Sequence, residues 1–275
     1  ADEVAIHLND THPVLAIPEL MRILIDEEGI AWQDAWAMCC KIFSYTNHTL
    51  MSEAFESWSV DLMGRLLPRH LDLIFEINEY FLDSVRELGE YDEEFIRRVS
   101  IIDEGYERRV RMAWLAVVAS HKVNGVAKIH SDLMTTSIFA DFAELFPERF
   151  TNVTNGVTPR RFVKLANPRL SDVITEGLGT DKWLSDLELL KGLIPLADDD
   201  EFVKKFAAVK QANKVDFSNF AKRKYGFDID PNTMINTMVK RLHEYKRQAL
   251  KILTVIADYA DIKSGKVSAD DIMPR

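Results

Sequence analysis

VAIHLNDTHP, at residues 4–13, joins a short apolar run to a cluster of polar residues. The apolar run at 4–8 predicts a buried strand. Asn9, Asp10 and Thr11 are residue types that cap helices, and Pro13 suits a first helical turn. The stretch therefore predicts a strand that passes directly into a helix, which is typical of an α/β fold.

Outward from this stretch, apolar residues at helical spacing predict a series of helices. We expect Pro68 to kink or split the longest of them, because proline cannot continue a helix. Stretches at 43–47, 117–129 and 150–156 interrupt the helical pattern, and residues 234–239 predict a strand that precedes a helix. The predicted helices are 15–27, 32–42, 60–88, 92–102, 159–175, 186–193, 199–224 and about 243–259.

The C-terminal part has the pattern of a β-α-β unit, because DIMPR, at 271–275, resembles the start of another strand. Turn-forming residues around Gly156 mark a domain boundary. We therefore predict a helix-rich α/β chain with incomplete Rossmann-like sheets and two domains, 1–156 and 157–275. Strand-like residues at both ends and the absence of an initiator Met also lead us to expect an internal fragment of a longer protein.

The composition excludes several classes of protein. The chain has 275 residues, of which 47% are hydrophobic, 28% are charged and only 11 are Gly, so it is neither disordered nor collagen-like. Its 44 acidic residues against 34 basic ones give a formal net charge of -10. That charge has the wrong sign for a protein that coats a phosphate backbone, so we predict no nucleic-acid partner.

The two cysteines and the hydropathy indicate a cytoplasmic protein. Cys39 and Cys40 are adjacent in a predicted helix, where neither a disulfide nor a metal site is expected, and a reducing compartment fits best. There is no signal peptide and no run of about 18 apolar residues, so we predict no membrane segment.

Two polar motifs follow predicted strands. The polar side chains of NDTHP can cap the helix or line a crevice at the carboxyl end of the strand. Helix capping alone would explain Asp10 or Thr11, but it does not require His12. In SYTNHTL, at 44–50, the side chain of His48 has the donor and acceptor groups that sugar hydroxyls need. A histidine satisfied within the core or at the surface is the alternative.

Two further motifs contain Asn-Gly pairs. In SHKVNGVAKIHSD, at 120–132, the histidine spacing does not match a helical zinc pair, so we predict no metal, and Gly125 is expected to permit a close backbone approach. In VTNGVTPRRF, at 153–162, Asn155 could bind a polyol, or the motif could be a plain turn before Pro159.

A basic motif, VKRLHEYKRQ, lies at residues 239–248. Lys240, Arg241 and Lys246 gather at the predicted junction between a strand and a helix, where a helix N-terminus and cations together favour an anion. Arg241 is the best candidate for bidentate contact with a phosphate. A solvated basic surface remains the alternative.

Taken together, these motifs resemble the glycogen, starch and maltodextrin phosphorylases over essentially the whole chain. The stretches that carry the resemblance are NDTHP, YTNHT, SHKVNGVAKIHS, TNGVTPRR and VKRLHEYKRQ. The resemblance implies a two-lobed glycosyltransferase-B fold, in which 1–156 ends the N-terminal glucan-binding lobe and 157–275 begins the C-terminal cofactor and phosphate lobe. It further implies a homodimeric, pyridoxal-phosphate-dependent enzyme that releases α-glucose 1-phosphate from an α-1,4-glucan with inorganic phosphate.

The resemblance also implies roles for the residues that bind the sugar. His48 and Asn155 would hold hydroxyls of the terminal glucose, and Tyr245 would lie beside the same sugar. The main chain around His48 would face the developing oxocarbenium ion. Asp10 and His12 would line the glucan side of the site.

A second group of residues would serve the phosphates. By the resemblance, Arg241 and Lys246 bind the substrate phosphate, whereas Lys240, Val239 and Phe162 contact the cofactor, and His48, Lys240, Arg241 and Lys246 count as catalytic. Such cations offset the repulsion between two phosphates. No metal is implied.

Two departures from the family pattern affect these expectations. The family usually has Trp where this chain has Phe162, which keeps a ring but lacks the indole N–H. The Gly-Thr-Ser-Asn-Met-Lys-like run that carries the cofactor lysine is absent from the 275 residues. We therefore expect the isolated chain neither to hold the cofactor covalently nor to turn over. A non-catalytic glucan-binding fragment is the alternative, and a nucleotide-sugar glycosyltransferase is disfavoured because no nucleotide motif is present.

Overall fold

The computed structural model describes residues 3–271. The chain divides into two compact units, residues 1–156 and residues 157–275. Each unit is described by itself below, as the first unit and the second unit.

A four-stranded parallel sheet forms the centre of the first unit, with the strand order β1-β2-β6-β7. These strands are β1 (Ile6–Asn9), β2 (Phe43–Thr46), β6 (Val123–Gly125) and β7 (Phe150–Asn152). Because all four strands run in the same direction, the residues that follow them meet at one edge of the sheet. This edge is where the sequence predicts polar clusters.

The two faces of the sheet differ in polarity because side chains alternate along each strand. Leu8, Phe43, Tyr45 and Val123 lie on one face and are fully buried in the core. The opposite face carries polar side chains from every strand, and it forms the cavity described in the next section. One sheet therefore supplies both the core and a polar surface.

Helices cover the apolar face and complete the core. Pro68 begins a new helix and so splits the long predicted one, which confirms the expectation from sequence. Residues 23–27 continue the first helix as a π-helical turn. The helices of the first unit are α1 (Ala16–Arg22), α2 (Trp32–Ile42), α3 (Val60–Leu66), α4 (Pro68–Leu88), α5 (Glu93–Val99), α6 (Met112–Ala119), α7 (Lys128–Thr136) and α8 (Ala140–Leu145).

A small antiparallel sheet lies beside these helices, with the strand order β3-β5-β4. Its strands are β3 (Ser57–Ser59), β4 (Ile102–Asp103) and β5 (Arg109–Arg111). The predicted α/β fold is thus confirmed, whereas this second sheet was not expected from the sequence.

Helices α1 and α2 contain ionisable residues whose pKa values are shifted by their surroundings. Glu19 accepts hydrogen bonds from Arg22 and from His70, and these bonds lower the pKa of Glu19 to about 2. In α2, burial raises the pKa of Cys39 to about 12 and that of Cys40 to about 11. Both thiols are free.

The second unit contains helices, turns and irregular segments, and no strand, in the part that the structure describes. Its α-helices are α9 (Pro168–Leu178), α10 (Asp200–Tyr225) and α11 (Gln248–Lys263). A π-helical segment spans Arg160–Leu165, and 3-10 helical segments span Lys182–Leu184, Leu187–Asp198 and Glu244–Lys246. Asn167 caps the N-terminus of α9, and Asp199 caps that of α10. Trp183 is fully buried and donates its indole N–H to the Thr175 hydroxyl of α9 at 3.1 Å. Most large apolar residues of α11 are exposed, including Leu253 and Ile256.

The strand predicted at 234–239 is wrong, because these residues form neither a strand nor a helix. A strand needs a partner for its backbone N–H and C=O groups, and no other strand lies among the described residues of the second unit. The helix expected from about residue 243 begins only at Gln248, after Arg247 with a left-handed φ of 53°. The predicted β-α-β unit is therefore absent up to residue 271, and the rest of DIMPR lies outside the described residues.

No helix among residues 3–271 is both long enough and apolar enough to cross a membrane.

Candidate functional site

The polar face of the parallel sheet lines an open cavity of about 630 Å³ in the first unit. Side chains from β1, β2, β6, β7 and the segments that follow or precede them contribute to it. The lining residues are His7, Asn9, Ser44, Thr46, His48, His121, Lys122, Asn124, Thr151, Val153, Thr154, Asn155 and Gly156. Most of these side chains are neutral and carry hydrogen-bonding groups, which suits a polyhydroxylated ligand.

Hydrogen bonds across three strands fix the centre of this face. Thr46 Oγ1 donates to Asn124 Oδ1 at 2.7 Å. Because that bond uses the hydroxyl proton, Thr46 Oγ1 accepts from His7 Nε2 at 2.5 Å. Asn124 in turn donates to the carbonyl oxygen of Gly125 at 3.0 Å. The floor of the cavity is thus a connected network.

The cluster after β2 divides into a structural residue and an exposed one. Asn47 is fully buried, accepts from the Tyr45 hydroxyl at 3.0 Å and donates to the Thr49 carbonyl at 2.6 Å. His48, the next residue, is exposed on the cavity, and its Nε2 lies 2.7 Å from Asn9 Oδ1. The candidate residue His48 is therefore free to contact a ligand, whereas Asn47 holds the loop.

The segment after β7 brings Asn155 to the same cavity. Its backbone N–H donates to the Val126 carbonyl at 2.9 Å, so the segment is tied to the end of β6. The side chain of Asn155 is exposed on the cavity. The structure thus brings His48 and Asn155 to one cavity, although 107 positions separate them (155 − 48).

Gly125 allows the backbone at the end of β6 to approach α7 closely. A Cβ atom at this position would lie 2.3 Å from Ser131 Oγ, 2.6 Å from His130 Nδ1 and 2.9 Å from Ser131 Cα. This confirms the tight approach that the sequence predicted. Burial lowers the pKa of the nearby His130, which favours the neutral imidazole.

Asp10 and His12 belong to a second cluster, at the end of β1. Glu56 accepts from Thr11 Oγ1 at 2.6 Å and from His12 Nδ1 at 2.9 Å. Asp10 has a left-handed φ of 72°, and its Oδ1 accepts from the Thr11 N–H at 2.7 Å. Neither Asp10 nor His12 lines the cavity that holds His48, so the structure does not join these two predicted groups in one pocket.

The cluster perturbs the ionisation of two groups. The hydrogen bond to Glu56, together with the negative charges of Glu56 and Asp10, raises the pKa of His12. Partial burial opposes ionisation of Glu56, but the hydrogen bonds from Thr11 and His12 outweigh it and hold the pKa of Glu56 below its usual value. The pair therefore favours a charged His12 beside an ionised carboxylate.

The basic motif lies in the second unit, in an exposed segment before α11. Lys246 Nζ donates to the Arg241 carbonyl at 3.2 Å and lies 5.4 Å from the centre of the Tyr245 ring. The Tyr245 ring also packs edge-on against His243, with 4.3 Å between ring centres. Lys240 and Arg241 are exposed, and neither forms an ion pair within the described residues. The basic residues are therefore accessible to an anion, as the hypothesis requires, but they do not lie at the predicted junction between a strand and a helix.

Two other predicted residues of the second unit are also exposed. The exposed fraction is 88% for Val239 and 63% for Phe162. Val239 borders an apolar groove of about 370 Å³ that Phe206 and Phe217 of α10 also line. Their predicted contact with a cofactor stays a prediction.

Sequence reasoning missed Asn9 and Glu56. The sequence placed Asn9 in a motif that caps a helix or lines a crevice, but it did not indicate that Asn9 Oδ1 contacts His48. Glu56 lies 44 positions from His12, and no local pattern connects them. Only the strand register, which pairs Asn9 with Thr46, could have suggested the first contact.

The family model and three curated relatives that match this chain are all phosphorylases. The family model for carbohydrate phosphorylases matches residues 1–275. Glycogen phosphorylase from Haemophilus influenzae is 57% identical over 262 residues, which are 95% of this chain and 32% of that protein. The human liver glycogen phosphorylase is 51% identical over 95% of this chain and 31% of its own length.

A plant relative matches over a similar range. The cytosolic alpha-glucan phosphorylase 2 of Arabidopsis thaliana is 46% identical over 265 residues, or 96% of this chain and 32% of that protein. The chain thus spans about a third of the length of these curated relatives. Since the family model covers its whole length, this chain belongs to the carbohydrate phosphorylase family.

Proposed function

We propose that this chain supplies part of the active site of an α-glucan phosphorylase, which releases α-glucose 1-phosphate from a glucan with inorganic phosphate. The observation that carries the proposal is the shared cavity of His48 and Asn155 at the carboxyl edge of a parallel sheet. Family membership supports the reaction class, because the relatives are named glycogen or alpha-glucan phosphorylases.

The first unit would bind the sugar. A glucose residue is neutral, so it is held by hydrogen bonds rather than by charge, and the amide of Asn155 and the imidazole of His48 offer both donors and acceptors. Fixing the hydroxyls would orient the anomeric carbon for attack. We assign Asp10 and His12 to the glucan side, where the charged His12 could bind an adjacent hydroxyl.

The second unit would bind the phosphate. Lys240 and Arg241 are exposed and unpaired within the described residues, so their charges are available to an anion. Arg241 can form a bidentate contact with phosphate, and Lys246 adds a point charge. We assign Arg241 and Lys246 to the substrate phosphate and Tyr245 to the sugar.

Lys240 suits the phosphate group of pyridoxal phosphate, because its side chain is cationic and exposed. We assign Lys240, Val239 and Phe162 to this cofactor. When bound, the cofactor supplies a second phosphate that can exchange a proton with the substrate phosphate. Lys240 would offset the repulsion between the two anions.

We further propose that residues 1–156 belong to a glucan-binding lobe and 157–275 to a cofactor lobe of a cytoplasmic homodimer. The division of the chain at residue 156 supports the lobes, and the named cytosolic plant relative supports the location.

A hybrid enzyme tests the proposal. The matching stretch of the Haemophilus influenzae glycogen phosphorylase is replaced by this chain, and glucose 1-phosphate formation from maltoheptaose and phosphate is measured. We expect turnover, and we expect Arg241→Gln to lower kcat/KM by about 100-fold, since it removes a charged contact to the reacting phosphate. Asn155→Ala should lower kcat/KM by about 10-fold through the lost sugar contact.

Arg86→Gln is the matched control, because Arg86 lies on the surface of α4 and its only ion pair among residues 3–271 is with Asp83. A hybrid that folds and binds maltoheptaose but forms no product would contradict the proposed reaction and favour a glucan-binding role. Equal activity of the Arg241→Gln and Arg86→Gln hybrids would contradict the phosphate site.

A further inference from the structure

Asn9 lies beside His48 at the rim of the cavity, and its position is fixed by the sheet. In the register of β1 and β2, Asn9 pairs with Thr46, two residues before His48. The next residues are also tied, because the Asp10 N–H donates to the Thr46 carbonyl at 3.0 Å and the Asn47 N–H to the Asn124 carbonyl at 2.9 Å. Both ends of the contact are therefore held by backbone hydrogen bonds.

The contact determines which ring nitrogen of His48 carries the proton. Asn9 Oδ1 can only accept a hydrogen bond, so His48 Nε2, at 2.7 Å, must be the donor. In a neutral imidazole the other nitrogen, Nδ1, is then an acceptor. His48 Nδ1 has no hydrogen-bond partner among residues 3–271.

An acceptor on His48 complements the other groups of the cavity. Asn155, on the same cavity, carries an amide with two donor hydrogens and one acceptor oxygen. A sugar hydroxyl can therefore donate to His48 and accept from Asn155 at once. With the opposite tautomer, His48 Nδ1 would carry the proton, so it could only donate to the hydroxyl and could not accept from it.

We propose that Asn9 is a positioning residue: it fixes the tautomer of His48 so that Nδ1 accepts a hydrogen bond from a hydroxyl of a neutral polyol. The choice of a glucan as that polyol rests on the proposed function, whereas the tautomer does not. Asn9 acts through His48 and is not itself assigned to the reaction.

Nitrogen NMR of the 275-residue chain, labelled at histidine, measures the tautomer directly. The two ring nitrogens differ in chemical shift according to which one is protonated. The variants are Asn9→Ala, which removes the acceptor, Asn9→Asp, which keeps an oxygen at the same position, and Asn232→Ala, a control in an exposed loop of the second unit. His48→Ala identifies the signal.

We expect protonated Nε2 in the wild-type chain, in Asn9→Asp and in Asn232→Ala, and a mixture of tautomers in Asn9→Ala. Maltoheptaose affinity, followed on the same spectra, should fall roughly 3- to 10-fold in Asn9→Ala, the loss of one uncharged hydrogen bond. In the His48→Ala background, Asn9→Ala should cause no further loss of affinity.

An unchanged tautomer in Asn9→Ala would overturn the proposal, and so would a wild-type His48 that is protonated on Nδ1. A wild-type chain that does not bind maltoheptaose would count against the proposed function alone, because the nitrogen shifts would still decide the role of Asn9.

Discussion

Replacing Gly125 by Ala tests the close packing between the end of β6 and α7. The added Cβ would meet Ser131 Cα at 2.9 Å, and this backbone atom cannot move without shifting α7. It would also meet Ser131 Oγ, which donates to Asn152 at 2.8 Å, and His130 Nδ1, which accepts from the Val126 N–H at 3.2 Å. The substitution therefore strains one backbone contact and disturbs two hydrogen bonds.

The cost in free energy of unfolding follows from these contacts. Overpacking costs about 1–3 kcal/mol, and each of the two weakened hydrogen bonds about 0.5–1.5 kcal/mol, which together give about 2–6 kcal/mol. For a unit of this size, 1 kcal/mol lowers Tm by about 3 °C, so we expect a fall of about 6–18 °C in the first unit.

Thermal unfolding followed by circular dichroism measures this change. Gly156→Ala is the matched control, because a Cβ there would meet nothing within 4 Å and its backbone is not left-handed. A Gly125→Ala chain whose Tm lies within about 2 °C of the control would refute the argument, since strain of this kind exceeds that shift.

Three further predictions concern ionisable groups. Because the pKa of Glu19 is lowered from 4.5 to about 2, its ionised form stabilises the fold at pH values above 4.5, and this contribution disappears as the pH falls toward 2. The difference in unfolding midpoint between the wild-type chain and Glu19→Gln should therefore shrink over that pH range, and a constant difference would contradict this. Cys39 and Cys40 should react with Ellman's reagent at neutral pH at least about 100-fold more slowly in the native than in the unfolded chain, because burial suppresses both thiolates; similar rates would disprove their burial. In Glu56→Gln the pKa of His12, measured by NMR titration, should fall toward 6.5, because the variant removes the carboxylate that accepts from the ring; an unchanged value would exclude Glu56 as the cause.

Much of the first unit could be predicted from sequence because local patterns determine it. The helix at Trp32–Ile42 begins and ends where the apolar spacing predicted, and Pro68 splits the long helix. The same reasoning failed at 234–239, where an apolar and β-branched run has no neighbouring strand to pair with. Strand formation depends on distant segments, and sequence periodicity contains no information about whether they are present.

The candidate site could be predicted only in part. The sequence predicted polar motifs that contain His48 and Asn155, and the structure places both residues on one cavity at the end of the parallel sheet. The adjacent residues Asn47 and His48 have similar hydrogen-bonding groups, yet one is buried and the other exposed, and the local sequence does not distinguish them. The contact between Glu56 and His12 depends on how a loop returns over the end of β1, which is a property of the tertiary fold.

The exposed apolar side chains of α11 have a consequence for its dynamics. A helix of 16 residues in water is marginally stable by itself, and most helices in proteins are stabilised by burying an apolar face. Leu253 and Ile256 remain more than half exposed, whereas α4 buries seven residues in the core. Amide hydrogens of α11 should therefore exchange with deuterium much faster than those of α4. The stability of α11 would then depend on an apolar surface that packs against it.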